Sequence, residues 1–275
     1  MTITGVRISD MEGIKAKSMR HGHTSRTGER YILKAMVLAA GHGTRLLPLT
    51  KKCPKALIPL GDKPLLQIVL EKLIQAGIKD IAVNGHHLSA QLKKFVARYA
   101  VRSKTRIHFS HEQDLLDTGG GIKKMLQLLG SESAVLVHNV DILSDVNLRE
   151  LYDFHLSSGA MCTLAVQSRP TDRPLVFDEK MQLCGRGPLR SPSLVRRPKG
   201  RLAEFGFCGI QVIAPELFLE YPGDKFNSMD VYLRAASWDK KINGYCVNSV
   251  YWRDLGQLSD LQQAEGDVRK GFVEI

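Results

Sequence analysis

An apolar run from Ile32 to Ala40 breaks at Gly41 and Gly43, and the polar stretch that follows holds Arg45 and, ten residues later, Lys55 between Pro54 and Pro59. A run this short and this apolar reads as a strand buried on both faces, which belongs in the interior of a parallel sheet. A buried strand that opens into a glycine-rich turn lets backbone N–H groups converge on an anion. Arg45 adds a planar donor fork matched to phosphate oxygens. Lys55 adds a point charge. These are the parts that hold a nucleoside triphosphate and stabilise charge on a phosphorus under attack.

Two other phosphate loops are excluded by residue type. A dinucleotide fingerprint needs a third glycine and an immediate helix. Here that position is Leu46, and Pro48 follows. A P-loop ends in Gly-Lys-Ser/Thr, which this stretch lacks.

Downstream, strand-like and helix-like segments alternate. Helical spacing predicts helices over 63–76, 88–101, 121–129 and 147–156. Short apolar runs predict strands over 81–84, 106–110, 134–138 and 161–167. This alternation argues an α/β chain with a doubly wound, mostly parallel (mixed) sheet covered on both faces. From about Leu175 the alternation loosens. Residues 177–200 read as a hairpin-like or looped insertion, 207–213 as a strand, 215–221 and 229–238 as helical, and 245–253 as rich in strand formers. Residues 1–31 lack sustained periodicity and read as a flexible basic tail. Its His21 and His23 suit solvent better than a metal. Residues 32–275 form one domain.

Composition narrows the function. No apolar stretch approaches the ~18 residues of a membrane helix, and the N-terminus has no signal-peptide core. Five scattered cysteines with no C-x-x-C pair fit free thiols in a reducing, cytoplasmic setting. The net charge is +11. No basic helix with interleaved aromatics accompanies it, so polyanionic small substrates explain it better than nucleic acid.

The stretch Val37–Pro64 resembles the signature of the sugar-1-phosphate nucleotidyltransferases, the nucleotide-sugar pyrophosphorylases. Leu38, Ala39, Ala40, Gly41, Gly43, Thr44, Arg45, Leu46, Pro48, Leu49, Thr50, Pro54, Lys55, Pro59, Lys63 and Pro64 meet it in one ungapped register, which is far more specific than a lone glycine turn. The resemblance implies a Rossmann-like nucleotidyltransferase fold in three α/β/α layers. It implies nucleotide binding by Leu38 through Thr44, with Arg45 holding the triphosphate and Lys55 neutralising charge at the α-phosphate.

Such transfers need positioning and charge neutralisation, usually with Mg²⁺ held by one or two carboxylates. Asp141 follows an apolar strand at the edge where open α/β sheets bind ligands; by itself it could equally cap the next segment. Asp254 precedes Leu-Gly, which is also common turn chemistry. The resemblance makes both of them metal ligands, although Val140 stands where the family usually has glycine. In LLDTGGGI, residues 115–122, three glycines could admit a flat base or serve as a joint. The resemblance favours the base, with Gly119, Gly120 and Gly121 near the nucleotide and Leu116 against the base. Asn84 and Gly85 end a strand facing the same cleft. His86 and His87 suit that cleft or a solvated surface.

The family's mid-chain Glu-Lys-Pro, whose lysine grips the sugar phosphate, is absent. Asn139 and Glu204 are assigned to the sugar phosphate, and Arg173 is a further candidate for that role; Arg197 and Lys199 are candidates too but read better as loop charges. The triple glycine and EFGFCGI, residues 204–210, look most like the short uridylyltransferase branch acting on N-acetylmuramate-1-phosphate. The implied partners are an NTP, UTP favoured, and a sugar-1-phosphate. A phosphocholine cytidylyltransferase would need an aromatic or acidic cage, and no aromatic cluster is evident. A non-catalytic nucleotide-sugar sensor would have no use for charge at a reacting phosphorus.

Overall fold

A computed structural model describes residues 33–130 and 132–275. The tail expected over 1–31 lies outside the described residues. Strand β1 (Lys34–Leu38) runs into a loop wound as three one-turn 3₁₀ helices, Thr44–Leu46, Leu49–Lys51 and Lys55–Leu57. A hairpin of β2 (Pro59–Leu60) and β3 (Lys63–Pro64) leads into α1 (Leu65–Gln75). There follow β4 (Asp80–Gly85), α2 (Ser89–Ser103), β5 (Arg106–His111), α3 (Asp117–Leu129), β6 (Val135–Asn139), β7 (Ile142–Ser144), α4 (Leu148–Ser158) and β8 (Cys162–Gln167). The second half contains β9 (Leu175–Phe177), β10 (Leu183–Arg186), β11 (Ser193–Leu194), β12 (Ala203–Ile213), α5 (Glu216–Leu219), α6 (Ser228–Ser237), β13 (Ile242–Cys246), β14 (Trp252–Asp254) and α7 (Leu258–Arg269).

Strands β6, β1, β4 and β5 lie side by side and parallel. Strand β12 is antiparallel to both β6 and β8, and β13 is parallel to β8. Strands β8 and β13 therefore run in the same sense as β6, and their C-terminal ends share its edge. The expected mixed, mainly parallel sheet is the one observed. Alternate residues feed two cores. Ala35, Val37, Ile81, Val83 and Leu136 join a cluster with α1, α2, α4 and α7. Met36, Ala82, Val135 and Val137 join one with α3, α5 and α6. This period-2 division is why these strands read as continuous apolar runs.

Local signals explain most boundaries. The α4 N-terminus is capped by Asn147, whose side chain accepts the Glu150 N–H at 3.2 Å. Helix α3 departs from expectation, starting at Asp117 and not at Gly121, so the glycines lie inside its first turns. Glycine weakens a helix interior, and only long-range packing holds these in place. The insertion over 177–200 is hairpin-like, as expected, and adds short strands to the sheet: β10 pairs with β9 and β11, and β9 pairs with β12. The stretch 245–253 splits into β13 and β14, and β14 pairs with β7 outside the main sheet. Helix α7 carries no clear apolar stripe; among its residues only Leu261 and Ala264 are buried.

Candidate active site

The loop after β1 is held from beneath. The Ala39 N–H donates to Asn84 Oδ1 at 2.6 Å, and Asn84 Nδ2 donates to Glu112 Oε1 at 2.7 Å. The other Glu112 oxygen accepts the Leu116 N–H at 3.1 Å. Asn84 and Glu112 are both buried, so a satisfied polar chain ties the β1 turn to the start of α3. Gly43 adopts φ +65°, and a Cβ there would sit 2.8 Å from Thr50 Cγ2 and 3.1 Å from Lys55 Cβ. Only glycine fits both the backbone and the space. Thr50 Oγ1 donates to the Gly43 carbonyl at 2.9 Å, locking the turn over Lys55. Gly41 stands at an open tip with nothing beside it.

Four charged side chains meet at the C-terminal edge of the sheet. Lys55, 9 % exposed, pairs with Asp141. The β14–β7 ladder sets Asp254 opposite Ile142, beside Asp141. The Leu255 N–H donates to the Asp141 carbonyl at 2.8 Å, and the Gly256 N–H donates to Asp254 Oδ1 at 2.8 Å. Arg45 completes the group: its Nη2 is 2.7 Å from where a Cβ on Gly256 would be. Burial pushes the Asp254 carboxyl above its ordinary range, and the Asp141 charge adds to this; Lys55, the Gly256 N–H and Arg45 oppose it. Among the described residues no group of three or more His, Cys, Asp and Glu side chains forms a metal cage. Two adjacent, half-buried carboxylates are a donor set that would suit Mg²⁺.

The three glycines of α3 are filled by protein. The Gly119 and Gly120 N–H groups both donate to the Phe226 carbonyl, at 2.9 and 3.2 Å. A Cβ on Gly119 would lie 2.3 Å from the Phe226 ring, and one on Gly120 would lie 2.0 Å from the Asp224 carbonyl oxygen. A Cβ on Gly121 would lie 2.8 Å from Asn84 Nδ2 and 2.9 Å from Glu112 Oε1. These glycines let the 224–226 segment and the Asn84–Glu112 pair close onto α3, and Leu116, half-buried, is the residue this packing presents at the helix start. Gly120→Ala forces backbone apart and is expected to lower stability by about 2–3 kcal/mol, read as a drop in the denaturation midpoint. An unchanged midpoint would show that the 224–226 segment yields freely.

The residues expected at the sugar phosphate separate. Asn139 ends β6, two residues before Asp141, with its Nδ2 against Gly209. Glu204 is exposed on β12, and its carboxylate accepts the Leu189 N–H at 2.9 Å. It lies five residues along the strand from Gly209, or about 16 Å, and so apart from the cluster. The Lys199 N–H donates to Asp178 Oδ2, and Arg197 is exposed in the same loop. Arg173 lines a cavity of about 870 Å³ together with Thr118, Arg169, Arg186, Phe207 and Ser228. Glu112, the hub beneath the loop after β1, was not anticipated; a lone acid between a strand and a loop gives no sequence signal.

Residues 34–177 match the family model described as Nucleotidyl transferase. The mannose-1-phosphate guanyltransferase of Hypocrea jecorina is 36% identical over 231 residues, 83% of this chain and 62% of that protein. The chain thus spans less than two thirds of that relative's length. The N-acetylmuramate alpha-1-phosphate uridylyltransferase of Caulobacter vibrioides is 31% identical over 227 residues, 81% of this chain and 91% of that protein. The solved structure of an apo UDP-glucose pyrophosphorylase shares the fold, with a TM-score of 0.71 at 19% identity over 88% of this chain and 99% of that one.

Proposed function

This chain belongs to the sugar-1-phosphate nucleotidyltransferase family, and from that premise we propose that it transfers a nucleotidyl group from an NTP to a sugar-1-phosphate, releasing pyrophosphate. The observation that carries the reading is the convergence of Arg45, Lys55, Asp141 and Asp254 at one sheet edge. The acceptor's phosphate oxygen attacks the α-phosphorus in line, and pyrophosphate departs on the opposite side. Lys55 neutralises charge growing on the α-phosphate oxygens, and Arg45 holds the triphosphate and the departing pyrophosphate. The base lies over Leu116 and beside Asn84, on the floor that Glu112 braces. Asp141 and Asp254 would hold Mg²⁺, which when bound would supply charge neutralisation for the transfer.

UTP is the favoured donor. This rests on likeness to the uridylyltransferase over nearly all of that relative's length, and the mannose-1-phosphate guanyltransferases make GTP the first competitor. A cytoplasmic setting accompanies this reading and is supported by five free cysteine thiols. No helix among the described residues is long and apolar enough to cross a membrane.

The test is pyrophosphate release with Mg²⁺ and each of UTP, GTP, CTP, ATP and dTTP, crossed with a panel of sugar-1-phosphates that includes N-acetylmuramate-1-phosphate. The expected result is strong release from UTP with one acceptor. Release confined to another base would correct the donor. Silence across the panel with nucleotide still bound would overturn turnover itself.

A further inference from the structure

Arg169 follows β8 by two residues and emerges at the same sheet edge as Asp141. Its guanidinium sits in a narrow slot. On one side its Cζ is 3.9 Å from the centroid of the Trp252 ring. On the other, the Gly206 backbone comes so near that a Cβ there would sit 2.6 Å from Cζ. Arg169 Nη2 donates to the Phe207 carbonyl at 2.8 Å, while Nε is buried with no partner. Among the described residues no carboxylate pairs with it. Asp172 and Asp230 line the same cavity without reaching it, and Arg173 and Arg186 add further positive charge to the walls.

A staple joining β8, β12 and β14 would need only the ring contact and one hydrogen bond. A neutral side chain would supply both without half-burying a charge that has no counter-ion. A guanidinium held against an aromatic ring at the wall of a cavity, with one backbone hydrogen bond and no carboxylate partner, keeps donor capacity for an oxyanion. Its position says which one. Trp252 and Asp254 are two residues apart and point to the same side of β14, about 7 Å from each other. The Trp252 indole N–H donates to the Cys208 carbonyl at 2.9 Å, which fixes the ring. Arg169 is therefore packed on a ring that shares Asp254's side of β14, two residues along the strand, and it lines the cavity, whereas Arg45 and Lys55 are already committed to the triphosphate under the proposed function.

We propose that Arg169 is the cation that receives the phosphomonoester of the acceptor, clamped between Trp252 and Gly206 and facing the 870 Å³ cavity that takes the rest of that molecule. The assignment rests on the nucleotidyl-transfer reading for the class of its ligand. Arg169 holds and aims the phosphate; it takes no proton.

The chain has two tryptophans. Trp238 is 62% exposed just beyond α6, so Trp238→Phe leaves Trp252 as the sole emitter, in contact with Arg169. In that background, emission is followed during titration with inorganic phosphate, α-glucose-1-phosphate, α-mannose-1-phosphate and N-acetylmuramate-1-phosphate. Calorimetry follows UTP in parallel. A saturable change is expected with at least one sugar phosphate. Arg169→Gln should weaken it about tenfold or more, with UTP affinity unmoved. Arg169→Lys keeps the charge, loses the fork and should fall between; it also decides the matter if the Gln variant does not fold. Equal affinity in wild type and both variants, a matching loss for UTP, or no response to any probe overturns the assignment. Binding through Arg169 without pyrophosphate release would sink the transfer reading and leave this one standing. Turnover with an acceptor KM indifferent to both substitutions would do the reverse.

Discussion

Lys55→Ala is expected to lower kcat about 10²–10³-fold, the range seen when a single preorganised stabiliser of transition-state charge is removed. Lys55 is buried, fixed by its pairing with Asp141 and packed beneath the Gly43 turn. It pays no reorganisation cost when charge develops at the α-phosphorus. The alanine variant also leaves Asp141 facing Asp254 without the cation between them, so a lower melting midpoint should accompany the kinetic loss. Steady-state pyrophosphate release separates these effects, because the loss should persist at temperatures where the variant is fully folded. Lys55→Arg should recover part of the rate. A kcat near that of wild type in the alanine variant would remove Lys55 from the chemistry.

Asp141→Asn should cost turnover on a similar scale, about 10²-fold or more, since it removes one of the two carboxylates available to a divalent ion. The asparagine keeps the shape of the side chain and the Leu255 bond to the residue's carbonyl, so folding should survive. The distinguishing readout is the Mg²⁺ dependence: the midpoint of activation should move to higher concentration, and Asp254→Asn should move it in the same direction. A depressed rate with an unmoved Mg²⁺ midpoint would make Asp141 only the counter-ion of Lys55.

The charged cluster at the sheet edge was legible in the sequence where its signals are local. Gly43, Arg45 and Lys55 belong to one loop, and Asp141 directly follows an apolar run that ends at the sheet edge. Asp254 was different. Its partnership with Asp141 depends on the β14–β7 ladder, a pairing across more than a hundred residues, and only the resemblance pointed to it. The glycines of α3 were read as room for a flat base or as a joint; on their Cβ sides they admit the 224–226 segment and Asn84 with Glu112. Nothing near residue 120 announces either. Helix α7 went unread because so little of its surface is apolar and buried. On the acceptor side Arg173, Arg197, Lys199 and Glu204 drew attention as nearby charges. Arg169 did not, because what sets it apart is a slot formed by Gly206 and Trp252, which long-range packing alone assembles.

Arg45 and Lys55 face Asp141 and Asp254, so the four formal charges of the cluster cancel. The reaction centre is electroneutral on its own, and the chain's surplus of +11 resides elsewhere on the molecule. That surplus acts at a distance. It draws polyanions toward the cleft, an attraction that mobile ions screen over roughly 10 Å at moderate salt. The cluster acts at contact, where screening hardly enters. Ionic strength is thus a handle on arrival and leaves the bond-making step nearly untouched, a division of labour set by where the counter-charges sit.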